Sequence, residues 1–206
     1  MKRSEIEEQN RSLLQQQHDF RQAADVVTDA LSAFEEVEAV AVIGSVAKPL
    51  WKEVPRFREF RRADIEVWHE CKDLDLALWI SSQHRLGTLR RTRDVALQRA
   101  YEGGTGRGVV GHQVDIFLIE PGTDRYLGRL CSFNACPKGK LDCRVPGCGA
   151  IPFNKCIDGF VPHADLLASA SYAMLYQRGI GRLRSALELP GAGNAAGPHA
   201  HRDLGG

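Results

Sequence analysis

The chain has 206 residues, with Lys and Arg totalling 27 against 26 for Asp and Glu, and a net charge of +1. Hydrophobic residues make up 43% and charged residues 26%, an ordinary globular composition that argues against a generic polyanion binder. No apolar run approaches the roughly 18 residues of a membrane span, and Met1–Glu8 shows no apolar leader, so a soluble cytoplasmic protein with one main core is expected.

Taken in chain order, the charges are segregated. Residues 1–38 are acidic, while 52–62 and 85–107 are rich in arginine. Ser4 followed by Glu7 is a capping-box pattern. Ile6, Leu13, Phe20, Val27 and Phe34 then recur every seven residues, which predicts one helix from about Ser4 to Glu36 with an apolar stripe. That stripe packs on a sheet or forms a homodimer seam, although polar Asn10 and Gln17 lie beside it. Val40–Ile43 is a short apolar run stopped by Gly44-Ser45, as in a buried strand. Pro49 and Pro55 argue against a continuous helix between Trp51 and Glu70. Leu74–Ile80 reads as a second buried strand, residues from Leu86 to Tyr101 as an arginine-rich helix, and Val114–Ile119 as a third strand. Beyond a cysteine-rich segment, Leu166, Leu167, Met174, Leu175, Leu183 and Leu187 suggest a helix from about Ala164 to Leu189, weakened at Gly179 and Gly181. The last residues, 190–206, are rich in Gly, Ala, Pro and His and read as a disordered tail. The order of elements is that of an α/β (α+β) chain.

The carboxylates carry the chemistry. Asp73 and Asp75 flank one leucine at the start of a strand, so both side chains point to one face. Asp115 repeats the situation on another apolar strand. Ionised groups within apolar strands are costly unless paired or bound to metal. Three converging carboxylates suit Mg²⁺, which prefers oxygen ligands; arginines nearby are the alternative partners. Gly44-Ser45, directly after a strand, presents backbone N–H groups and a hydroxyl, which suits phosphate.

The ordered set Val42-Ile43-Gly44-Ser45-Val46-Ala47, Asp73-Leu74-Asp75-Leu76-Ala77-Leu78 and Val114-Asp115-Ile116-Phe117 resembles the nucleotidyltransferase superfamily, which includes DNA polymerase beta and small stand-alone transferases. The likeness covers roughly residues 20–120. It implies a small mixed β-sheet flanked by helices and transfer of a nucleoside monophosphate from a nucleoside triphosphate, ATP among them, to a hydroxyl on a small molecule, a protein or an RNA end. Gly44, Ser45 and Lys48 would hold the triphosphate. Asp73, Asp75 and Asp115 would ligate Mg²⁺, with Asp115 helping to activate the acceptor. Lys48 or an arginine of 85–107 would neutralise developing charge. The gap between Gly44 and Asp73 is longer than the family's, so 49–71 reads as an insertion. A rival acidic pair, Asp64 and Glu66, lies within it.

The chain therefore divides into a core at 1–125, a cysteine-rich loop and C-terminal helix at 126–189, and the tail. Five of the six cysteines are Cys131, Cys136, Cys143, Cys148 and Cys156, in a Gly- and Pro-containing stretch. A structural Zn²⁺ held by Cys136, Cys143, Cys148 and Cys156, with Cys131 as substitute, would supply the folding energy such a loop lacks. His163 or His112 could also contribute. Disulfides, an iron–sulfur cluster or free thiols stay open, since no Cys-x2-Cys pair occurs. Cys71 stands alone and reads as a buried small hydrophobe. The rival function is a non-catalytic nucleotide- or RNA-binding protein with a zinc-stabilised loop. Near-zero net charge does not indicate nucleic acid, and three clustered carboxylates would repel it. An interaction protein built on the N-terminal helix is the remaining class.

Overall fold

A computed structural model describes residues 3–50, 52–53, 62, 67–104, 108–123, 125–130 and 172–191. The first helix, α1 (Arg3–Ser32), ends short of the Glu36 that its stripe predicts. Glu36 is instead the entry to a strand: its buried carboxylate takes both a Nε and a Nη donor of Arg85, and its carbonyl accepts the Ser81 N–H. Phe20, Ala23, Ala24, Val27 and Leu31 are buried along α1 in the core it shares with the sheet, so the apolar stripe is occupied within the chain.

Next come β1 (Val37–Ile43), the single turn α2 (Gly44–Ala47), and a two-residue ladder of β2 (Lys52–Glu53) with β3 (Val67–Trp68) inside the expected insertion. They are followed by β4 (Leu74–Ile80), α3 (Leu86–Glu102) and β5 (Val114–Ile119), then by β6 (Tyr126–Leu130), β7 (Tyr172–Gln177) and β8 (Gly181–Arg182). Six strands form one mixed sheet in the order β6-β5-β4-β1-β7-β8. Only β4 and β5 run parallel among its pairs, and α3 makes the crossover that a parallel pair requires.

The sheet's two faces differ. On one, Val40, Val42, Leu76, Leu78, Ile116 and Leu118 meet α1 and α3 in the main core. On the other lie Ala41, Ala77, Trp79, Ile119 and Met174, also buried. Asp75 and Asp115 share this second face by strand alternation.

Over its described part, 172–189, the expected C-terminal helix is replaced by strand and turn. Tyr172–Gln177 pairs antiparallel with β1, and Ala186–Glu188 is only a short 3-10 turn. Tyr172, Ala173, Met174 and Leu175 are all buried, which is what a strand covered on both faces requires and an amphipathic helix does not. Gly179 and Gly181, at φ +85° and +100°, turn the chain into β8 rather than weakening a helix. The sheet thus continues past residue 125, through β6, β7 and β8. Leu130, the last residue of β6, pairs with Ile116, and Tyr172, the first of β7, pairs with Ile43. Both positions lie at the Asp75–Asp115 end. Among the described residues, no helix is long and apolar enough to cross a membrane.

Candidate metal centre

The site is assembled by strand register. Ile43 of β1 pairs with Asp75 of β4, and Asp75 pairs in turn with Asp115 of β5. Asp73 lies one residue before β4 and is exposed, while Asp75 and Asp115 are half-buried. One carboxylate oxygen from each of the three falls within 4.8 Å of the others.

Gly44 follows Ile43 immediately and turns away at φ +70°. A Cβ there would stand 2.9 Å from Asp75 Oδ2, so glycine is demanded both by the backbone and by the carboxylate. Ser45 follows in α2, and its hydroxyl hydrogen-bonds with the buried thiol of Cys71. Cys71 also meets Gln17 and lies 3.7 Å from His69 Nε2. Burial pushes that thiol's pKa up, the opposite of an activated nucleophile.

The turn is held from below by α1. Arg21 donates through Nε to the Val46 carbonyl at 3.1 Å and through Nη2 to Lys48 at 3.2 Å. Gln17 adds a bond to the same Lys48 carbonyl at 2.8 Å. Lys48, expected to face phosphate, caps the end of α2 and uses its carbonyl in this clamp. Gln17, polar beside the apolar stripe, thus has a definite partner rather than a solvent role.

Electrostatically the cluster is short of positive charge. Burial drives the Asp75 carboxyl up from its ordinary 3.8 to about 7, and the neighbouring Asp73 and Asp115 charges push the same way. Asp115 is also raised, chiefly by burial; Arg129 and Arg93 oppose this and Asp73 adds to it. Arg129 of β6 donates through Nη1 to Asp115 Oδ2 at 2.8 Å. Arg93 of α3 is fully buried: its Nη1 donates to the Val114 carbonyl at 3.2 Å, and its Nε to Asp94 at 2.9 Å. A pair of half-buried carboxylates whose pKa values are raised, beside a third that is exposed, fits a hard divalent ion with oxygen ligands.

Of the residues singled out in the sequence, the fold brings Asp73, Asp75 and Asp115 together and sets Gly44 against Asp75, while Ser45 follows in α2 against Cys71. Sequence reasoning missed Arg129 and Arg21. Of the arginines of 85–107 expected near the reacting charge, Arg93 bonds the Val114 carbonyl beside Asp115 and lowers that carboxyl's pKa, whereas Arg85 pairs with Glu36. Arg107, the rival pair Asp64 and Glu66, His163, and Cys131, Cys136, Cys143, Cys148 and Cys156 lie outside the described residues. His112 is exposed in a 3-10 turn before β5. In comparisons with known proteins, no family model, no curated protein and no solved structure matches this chain.

Proposed function

We propose that this chain is an Mg²⁺-dependent nucleotidyltransferase, moving a nucleoside monophosphate from a nucleoside triphosphate to a hydroxyl acceptor. The observation that carries it is the convergence of Asp73, Asp75 and Asp115 beside the Gly44-Ser45 turn at one end of a mixed sheet. Three carboxylates within 4.8 Å of one another, two of them half-buried, repel each other unless cations sit among them. The adjoining strand-to-turn junction with a hydroxyl suits phosphate.

In this reading Gly44 and Ser45 hold the triphosphate, with Lys48 as the nearby lysine of the same turn. Asp73, Asp75 and Asp115 would hold Mg²⁺, which when bound polarises the phosphates and steadies the leaving oxygen. The acceptor oxygen forms a bond to the α-phosphorus as the bond to the β-phosphate oxygen breaks, releasing pyrophosphate. Asp115 orients the acceptor hydroxyl for in-line attack, takes its proton as the bond to phosphorus forms, and passes it to solvent. The half-buried setting of Asp75 and Asp115 limits competing water.

The test has two parts. Mn²⁺ binding to the full chain, read by titration without nucleotide, should be present in wild type and lost in Asp75→Asn. Label transfer from α-labelled nucleoside triphosphates to a panel of hydroxyl acceptors should depend on the same residue. A folded wild type that binds no Mn²⁺ overturns the reading. Nucleotide binding that survives Asp75→Asn and needs no metal would favour a non-catalytic nucleotide binder instead.

A further inference from the structure

The last full strand before the cysteine segment breaks its own alternation. In the β5–β6 ladder Tyr126 pairs with Ile119 and Gly128 with Leu118, so Leu127 is the extra residue of a bulge. Gly128 sits at φ +138°, a conformation that favours glycine. Residues three apart in an unbroken strand face opposite sides. The bulge resets the phase, so Tyr126 and Arg129 both reach the face that carries the carboxylates. Tyr126 packs beside Phe117 with ring centroids 6.3 Å apart, and Arg129 bonds Asp115. Arg129 pairs with Phe117 in the ladder, yet its guanidinium reaches back along the strand to Asp115.

We infer that Arg129 binds the polyphosphate of the incoming nucleotide and holds Asp115 only until a divalent ion takes that carboxylate. This rests on the nucleotidyl-transfer reading. Across the end of the sheet the order is Gly44 after β1, Asp75 on β4, Asp115 on β5 and Arg129 on β6. An anion-binding turn stands on one flank of the carboxylates and a guanidinium on the other. Only Nη1 of Arg129 is used on Asp115, and its side chain is 36% exposed. A permanent counter-ion would compete with the divalent ion for Asp115 Oδ2. A guanidinium that transfers to phosphate avoids that competition, because its planar fork of donors matches phosphate oxygens as well as carboxylate.

The test separates two affinities in the full chain: Mn²⁺ alone, and inorganic tripolyphosphate in the presence of Mg²⁺, which carries the phosphates without a base. In Arg129→Ala, Mn²⁺ should bind as tightly as in wild type or several-fold tighter, since a competing cation is gone. Tripolyphosphate affinity should fall about tenfold or more, and Arg129→Lys should recover part of it. A structural defect would weaken both probes together. Arg129→Ala with tripolyphosphate affinity within twofold of wild type, or with both affinities reduced in parallel, overturns the inference while leaving the metal site standing. A wild type that binds Mn²⁺ but no tripolyphosphate does the same. A wild type that binds neither removes the nucleotidyl-transfer reading and this inference with it.

Discussion

Gly44 and Asp75 stand so close across the β1–β4 edge that any side chain on Gly44 would press on the carboxylate: its Cβ would sit 2.9 Å from Oδ2. The turn that ends β1 and the acid that begins β4 are therefore one steric unit. Gly44→Ala should cost about 1–2 kcal/mol of stability from the left-handed backbone alone, seen as a lower denaturation midpoint. It should also displace the Asp75 carboxylate and weaken Mn²⁺ binding by about tenfold or more. An Ala variant that binds Mn²⁺ like wild type would show that the two sites are independent.

Asp75 sets the pH response of the metal-free protein. Its folded pKa of about 7 lies above its ordinary 3.8, so between those values the folded state keeps a proton that the unfolded chain has released. Folding takes up that proton, and stability falls as pH rises through this window, levelling off above about pH 7. Asp75→Asn, which has no proton to lose, should flatten this slope, leaving the part the raised Asp115 carries, and be more stable than wild type at pH 8 by an amount on the order of 2 kcal/mol. Denaturant midpoints from pH 5 to 8 would measure both effects. Mn²⁺ competes with the proton, so its affinity should rise with pH, by up to about tenfold per unit below 7. A flat Mn²⁺ affinity from pH 5.5 to 7.5 would exclude Asp75 as a ligand.

Arg93 is a fully buried cation whose partner Asp94 is 46% exposed. Its Nη1 steadies the Val114 carbonyl, one residue before Asp115, and its charge lowers the Asp115 pKa. Arg93→Ala removes a large side chain from the α3–β5 contact and should cost about 2–4 kcal/mol. Arg93→Met keeps most of the volume but leaves the Val114 carbonyl without that donor, so it should cost less than Ala, about 1–2 kcal/mol. Equal losses of stability in the two variants would show that the charge, not the volume, holds α3 in place.

The parts of this molecule legible from sequence are those with a local signature. Periodic apolar residues marked α1 and α3, and apolar runs marked β1, β4 and β5. Asp75 and Asp115 stood out because charge inside an apolar strand is costly wherever the chain goes. Tyr172–Gln177 carried no such mark: a short apolar run fits a helix or a strand equally. Its pairing with β1, far away in sequence, decides between them. The arginines were harder still, because a basic residue's role is its partner. Arg129 meets an acid 14 positions away, and Arg21 meets a carbonyl 168 positions away. The β6 bulge that aims Arg129 is a matter of register, and register is set by the neighbouring strand.

Arg21 and Asp25, one turn apart on α1, offer a way to separate fold from site. Asp25 accepts the Ala186 N–H at 2.8 Å and bonds Ser185 and Arg182, so it secures the C-terminal 3-10 turn alone. Arg21 secures the same segment through Leu189 at 2.7 Å and Pro190 at 3.0 Å, but also grips the Val46 and Lys48 carbonyls behind Ser45. Both variants, Asp25→Ala and Arg21→Met, leave buried polar groups without partners and should lower stability by about 1–3 kcal/mol. Only Arg21→Met releases the Gly44-Ser45 turn, so if that turn holds phosphate only it should weaken Mg²⁺–tripolyphosphate binding at a temperature where both variants stay folded. Mn²⁺ affinity should change little in either, since neither residue touches the carboxylates. Thermal melts with parallel titrations of the two probes would decide it: equal tripolyphosphate affinities in the two variants would mean that Arg21 supports the fold and not the turn.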